Sequence, residues 1–313
     1  MKKFTSVALA AVMAAGTIAM AKEIKVGAIM PMSGPIAAYG QVTDLGIKLA
    51  HKLQPTLKNG DTIKLVLLDN KGDKVETANA TTRLISSDKV VAILGALTST
   101  NTAQVIAIAD KKKIPVIASV ATNDKLTDRR TYANRVCFTD SFQGEVVANY
   151  AIAQGHKTAV VIVDQAQVYS LGLSKAFQKA FKKAGGTISQ KIKITSGDKD
   201  FKAVVSQVKK TNPDFMFLPL YHPEASMIAR QSKQLGLNKP MFSGDGVANP
   251  TFIELGGKAV EGYMFTDFFD YQNPPSSKSS DFVAFHEKET GKAELNSFTA
   301  LGADTYNVLI DAM

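Results

Sequence analysis

The hydrophobic pattern of this chain changes period again and again, and that alternation constrains its fold more than any other feature. EIKVGAIM at 23–30, TIKLVLLD at 62–69, VVAILG at 90–95 and IPVIASVA at 114–121 are short, mostly β-branched apolar runs. Between them, apolar residues recur every three to four positions over Ile36–Leu53, Val75–Ser86 and Ser99–Lys112. A short β-branched run reads as strand, and a 3.6-residue period reads as helix. Strands that alternate with helices are predicted to form a parallel sheet covered by helices on both faces. Runs such as VVAIL, apolar at every position, fit strands buried on both sides.

After RVCFTDSFQG the pattern restarts with the helical stretch EVVANYAIAQG. The strand KTAVVIVD, the helix Leu171–Ala184 and the strand ISQKIKI follow. FKAVVSQVKK, DFMFLPL, EASMIARQSKQLG and PMFSGDG then read as helix, strand, helix and strand. The chain is therefore predicted to be α/β, with two doubly wound parallel-sheet lobes. The first is expected over 22–140 and the second over 141–270. DFFDYQNPPSSKSSDF marks a change to a Pro- and Ser-rich composition, and 271–313 is expected to return toward the first lobe. The last stretch, TALGADTYNVLIDAM, is an amphipathic helix that halts at Met313 without cap or stop signal, so the chain is expected to be C-terminally incomplete.

Residues 1–21 carry a basic start at Lys2 and Lys3, an apolar run and a small-x-small end at Ala19-Met20-Ala21. That is the pattern of a cleaved secretory signal, with Lys22 as the first mature residue of an exported protein. At 45% hydrophobic and 21% charged, the 313 residues have the composition of a globular protein with large cores. Without Lys2 and Lys3, 35 Lys and Arg face 28 Asp and Glu, a balance of +7. The lysines are scattered over helical stretches such as KAFQKAFKKAGG, which points to solvated faces rather than to nucleic acid. Cys137 is the single cysteine, so no internal disulfide forms; in RVCFTD it is expected to be a small buried hydrophobe on a strand.

In open α/β sheets, ligands bind outside the carboxyl ends of the strands. Here those ends carry MPMSGPIAAYGQ, GALTSTNT, SVATND, DQAQVYSLG, LYHPE and SGDGVANP, all rich in polar or aromatic residues. GALTSTNT is the most unusual. One Ser, Thr or Asn suffices to cap a helix, and five small polar residues stand in a row from Thr98 to Thr102.

MPMSGPIAAYGQ, YHPEASMIARQSKQLGL and FSGDGVANP resemble the periplasmic branched-chain amino-acid-binding proteins of ATP-driven importers, a branch of the type I periplasmic binding proteins. The resemblance runs from Glu23 to Met313. It implies two α/β lobes joined by three crossover strands, with an L-amino acid, leucine, isoleucine or valine first, held between them. It also implies a monomer that delivers this ligand to an inner-membrane ABC permease, with no cofactor, metal or catalytic residue. Relatives continue beyond the position of Met313, and they often bridge the first lobe by a disulfide at positions that match Gly72 and Thr98 here.

The resemblance assigns the α-carboxylate to Ser99 and Thr100, through hydroxyls and backbone N–H groups at a helix start. Such a terminus favours an anion without any basic side chain. It assigns the ammonium to Thr122 and Asp245, although relatives often carry Glu where Asp245 stands; the lesser reading of Asp245 is a turn residue before Gly246. Tyr39, Tyr169 and Tyr221 match aromatic positions lining the cleft, and Phe298 aligns with a pocket phenylalanine.

An enzyme is the first rival reading. The sequence contains no H-E-x-x-H, G-x-S-x-G, P-loop or G-x-G-x-x-G, and His51, His156, His222 and His286 lack ligand spacing. The second rival keeps the fold and binds an amide, urea or another small carboxylate, for import or for sensing. Sugars are disfavoured by the absence of Trp.

Overall fold

A computed structural model describes residues 21–313. The signal-peptide expectation thus falls almost wholly outside the described residues. Among the described residues ten strands and ten α-helices follow one another. The first half holds β1 Glu23–Met30, α1 Ala37–Leu53, β2 Thr62–Asp69, α2 Lys74–Arg83, β3 Ala92–Gly95, α3 Ser99–Ala109, β4 Val116–Ala118 and β5 Ala133–Arg135. Next come α4 Asp140–Ala153, β6 Thr158–Asp164, α5 Val168–Lys183, β7 Thr187–Ile194, α6 Lys202–Thr211, β8 Phe215–Phe217, α7 His222–Gln234 and β9 Met241–Ser243. The chain closes with α8 Pro250–Gly256, β10 Met264–Phe265, α9 Ser277–Thr290 and α10 Ser297–Ala312.

The strands form two five-stranded sheets, ordered β2-β1-β3-β4-β5 and β10-β9-β8-β6-β7. Every pairing between named strands is parallel. In both sheets the order turns back on itself, at β1/β3 and at β6/β8, and that is where an open α/β sheet leaves a crevice at its carboxyl edge. Residues Val26–Met30 and Ala159–Asp164 are buried without interruption, because helices cover both faces of each sheet.

The chain passes from the first sheet to the second between β5 and α4 and returns after β10. α10 packs on α1 with almost no side chain between them. A Cβ at Gly46 would lie 1.9 Å from the Thr299 carbonyl oxygen, and one at Gly302 would lie 2.2 Å from that of Thr43. Phe298, Leu301, Tyr306 and Ile310 of α10 join Val26, Ile47 and Leu94 in one core.

Several elements differ from the sequence expectation, each for a local reason. α4 begins at Asp140 rather than near Glu145, because the Thr139 hydroxyl accepts from the Phe142 N–H at 3.3 Å and starts the helix earlier. DFMFLPL yields only the three residues of β8, since Pro219 has no N–H for the ladder. Cys137 is buried as expected but lies beyond the strand, which ends at Arg135. Among the described residues no helix is long and apolar enough to cross a membrane.

Candidate functional site

The carboxyl ends of both sheets face one narrow space with a cavity volume of about 10 Å³. Tyr39, Ser99, Tyr169, Tyr221, Asp245 and Phe298 line it together with Leu97, Thr98, Val120 and Gly246. Six of the eight side chains singled out in the sequence thus meet in one cavity, and Thr100 and Thr122 stand beside it.

The floor on one side is the start of α3. Thr98 caps this helix, its Oγ1 accepting from the Asn101 N–H at 3.4 Å. Ser99 is buried, and its Oγ accepts from the Asn123 N–H at 3.3 Å, which leaves its own proton free to be donated. Among the described residues, the N–H groups of Ser99 and Thr100 have no partner within the protein. Unpaired N–H groups at a helix start attract an anion, reinforced by the helix dipole. The chain reaches this position through Gly95 at φ +112°, where a Cβ would lie 2.3 Å from the Ile29 carbonyl oxygen, and Leu97 at φ +77°. A non-glycine residue held there stores about 1–3 kcal/mol of backbone strain. The Thr100 hydroxyl turns away from the cavity. It donates to Gln167 Oε1 at 2.8 Å and accepts from the Val168 N–H at 3.0 Å, across the cleft at the start of α5.

The opposite wall is Asp245, in a short 3-10 turn, Asp245–Val247, after β9. Glycines flank it because the backbone is crowded. A Cβ at Gly244 would meet Gln143 Oε1 at 2.5 Å, and one at Gly246 would meet the Leu220 carbonyl oxygen at 2.4 Å. Asp245 Oδ1 accepts from Gln143 Nε2 at 2.8 Å, and the Tyr169 hydroxyl stands against the same carboxyl. Burial pushes the Asp245 carboxyl up to about 8, with Asp140 adding to the rise and the Gln143 hydrogen bond opposing it. Asp140, on the first turn of α4, is likewise pushed up by burial, to about 7. Asp245 takes part in none of the ion pairs among the described residues. A carboxylate buried in this way is a receptor for a cation that the protein itself does not supply.

Thr122 is fully buried, and its Oγ1 has no hydrogen-bond partner. It lies near Asp140 but outside hydrogen-bonding geometry, while its carbonyl accepts from the Asp140 N–H at 2.9 Å. An unsatisfied buried hydroxyl costs about 1–3 kcal/mol, which a bound polar group would recover.

The aromatic residues tie the walls together. Tyr39 reaches from α1 into the second lobe, donating to the Gly246 carbonyl and accepting from the His222 N–H at 2.9 Å. The Tyr169 hydroxyl accepts from the Gly246 N–H at 3.0 Å, and its ring stacks on Tyr221 at 5.1 Å. Phe298, at the start of α10, lies 5.4 Å from the Tyr39 ring. Burial raises all three phenols well above their usual value, so they act only in protonated form.

Sequence reasoning missed Asp140, Gln143, Asn123 and Gln167. Gln143 had a readable signal. It stands on the same stripe of α4 as buried Val147 and Ala151, where a polar residue is out of place. No group of three or more His, Cys, Asp or Glu with metal-binding geometry occurs among the described residues.

Comparison with known proteins places the fold in a family. The family model described as "Periplasmic binding protein" matches residues 23–313. The leucine-binding protein LivK of Thermotoga maritima superposes with a TM-score of 0.90 at 39% identity, over 92% of this chain and 82% of that one. The substrate-binding protein LivJ of Streptococcus pneumoniae, a branched-chain amino-acid transporter component solved with isoleucine, gives 0.85 at 32% identity, over 93% and 84%. The Leu/Ile/Val-binding protein BraC3 of Rhizobium johnstonii is 30% identical over 285 residues, 89% of this chain and 77% of the relative. With the whole described fold matched from Glu23 onward, this chain belongs to the periplasmic binding protein family.

Proposed function

We propose that this protein is the substrate-binding component of an ABC importer and captures a branched-chain L-amino acid between its lobes. The observation that carries the reading is the pairing of two opposite receptors across one small apolar cavity. Unpaired N–H groups at Ser99 and Thr100 face a buried carboxylate at Asp245 that lacks a cationic partner. That pair fits a zwitterion. The Ser99 hydroxyl and both N–H groups would take the α-carboxylate, and the Asp245 carboxylate with the Thr122 hydroxyl would take the ammonium. Tyr39, Tyr169, Tyr221 and Phe298 would enclose the aliphatic side chain, the apolar lining typical of small-ligand sites. The relatives named for leucine and for Leu/Ile/Val support the substrate class.

Closure of the lobes around the ligand removes water from both receptors, and the closed form is the one that docks on a membrane permease. The protein acts by binding and not by catalysis, as a monomer in the periplasm, with no part for nucleic acid. An amide or urea would leave Asp245 without its cation, which argues against the rival ligands.

A thermal-shift panel on ligand-stripped protein tests the reading. It would contain the twenty amino acids, L-leucinamide, urea and a few sugars. A ligand at a hundred times its Kd stabilises the fold by about 2.7 kcal/mol. Shifts with leucine, isoleucine or valine but not with leucinamide are expected. A response confined to urea or amides would overturn the zwitterion reading.

A further inference from the structure

Gln143 is fully buried on α4 and makes four hydrogen bonds, as many as a primary amide can. Its Oε1 accepts from the Asp245 N–H at 3.2 Å and from the Thr266 hydroxyl at 2.8 Å. The backbone N–H can only donate, so the amide orientation is fixed and Nε2 must face the carboxylates. Nε2 then donates to Asp245 Oδ1 at 2.8 Å and to Asp140 Oδ1 at 3.3 Å. One amide thus holds two buried carboxyl groups together, with no Lys or Arg paired to either among the described residues. Gln143, Asp140, Asp245 and Thr266 all come from the second lobe or from its entry at α4, so the arrangement does not depend on closure.

We propose that Gln143 is a positioning residue of the ligand site: it couples Asp140 and Asp245 into a pair that holds one proton until the ligand's ammonium displaces it. The inference rests on the amino-acid reading above. Two carboxylates in one apolar site do not both ionise without a cation. The burial-raised carboxyls of Asp140 and Asp245 agree with this. When the ammonium arrives, the pair gives its proton to solvent and both carboxylates ionise. At the carboxyl pair one positive charge replaces another, while the ligand's α-carboxylate is held apart by the N–H groups at the start of α3. The titratable groups around the pair are Asp124 beside Asp140, Asp267 after β10, Cys137, and the phenols Tyr39, Tyr169 and Tyr221. The cation on this side is Arg135 of β5, which acts on Cys137 but spends its guanidinium on the carbonyls of Ala121, Asn123 and Asp124 and forms no ion pair with either carboxyl.

Calorimetric titration of the full chain with L-leucine, in buffers of different ionisation enthalpy, counts the protons exchanged. Release of close to one proton per ligand at pH 7 is expected, with affinity tightening from pH 6 to pH 8 by up to tenfold per pH unit. Gln143→Met keeps volume and removes the amide. It is expected to lose at least tenfold in affinity and to displace the pH midpoint of proton release, with cooperative unfolding retained. If that variant fails to fold, Asp140→Asn carries the test, and its release midpoint should move at least half a pH unit lower. Leucine binding without proton exchange overturns the inference and leaves the amino-acid reading standing. So does a wild-type profile in Gln143→Met, or an unmoved midpoint in Asp140→Asn. No heat with leucine, isoleucine or valine overturns both.

Discussion

Asp245 is buried with no ion-pair partner among the described residues, and the proposed role has it meet a cation in the complex. Its carboxyl is raised to about 8 by burial, so the folded state binds a proton that the unfolded chain, at the ordinary carboxylate value, has released. Stability therefore falls as pH rises toward the folded value. His222, lowered to about 4 by burial, acts in the opposite sense, but its contribution is complete once the unfolded histidine has lost its proton. Above pH 7 the carboxyl pair dominates. The ligand-free melting temperature is expected to drop between pH 7 and pH 8.5, and Asp245→Asn should flatten that drop, as scanning calorimetry would read. The same substitution should cost about 2–5 kcal/mol of ligand affinity, because it leaves the bound ammonium without its charge partner. The position of Asp245 was legible in the sequence, since SGDG follows an apolar run at a strand end. Its environment was not, because Gln143 lies 102 residues away and only the fold brings the two together.

The elements place these side chains through close backbone approach. Turn 245–247 can lie against Tyr169 and Leu220 only because Gly246 lacks a Cβ. Gly246→Ala is expected to destabilise the protein by about 1–3 kcal/mol, the usual cost of overpacking, and to weaken ligand binding as well. Denaturant titration with and without ligand separates the two effects. α1 and α10 obey the same logic at Gly46 and Gly302, so Gly46→Val should push on Thr299, lower the melting temperature by several degrees and displace the neighbouring Phe298 at the cavity. The long strands and helices were readable because β1, β2, β6 and β7 run for seven or eight residues with clear patterns. α8 and β10, at seven and two residues, carry too few positions for any period to show. The polar run after β3 was readable as excess over capping, but its division of labour was not. Thr98 caps, Ser99 faces the cavity and Thr100 crosses to the other lobe, and sequence spacing alone does not separate those roles.

Across the whole molecule the lobes are joined by a few polar bonds around the cavity. Thr100 meets Gln167 and Val168, Asn123 Nδ2 donates to the Val168 carbonyl at 3.2 Å, and Asn296 Nδ2 donates to the Ala248 carbonyl at 3.1 Å. With Tyr39 on Gly246 and His222, these bonds favour the closed arrangement over an open one. Thr100→Val removes two of them without touching the cavity lining. It is expected to weaken ligand affinity by about 1–3 kcal/mol, chiefly through faster release, with the ligand-free scattering profile shifted toward a more open form. Stopped-flow release and small-angle scattering read the two effects. The two-lobed plan was visible in the restart of the βα pattern after RVCFTDSFQG, whereas these cross-lobe bonds join residues too distant in sequence to be paired by inspection.

The central claim is that one cleft reads both charges of an amino acid. Titration calorimetry of the wild-type protein with L-leucine, L-leucinamide and 4-methylpentanoate tests it most directly, since the second compound lacks the carboxylate and the third lacks the ammonium. Binding of L-leucine, with each analogue weakened by at least about a hundredfold, is the predicted result, each lost partner being a buried charge. Comparable affinity for either analogue would contradict the account, because one of the two receptors would then have no part in recognition.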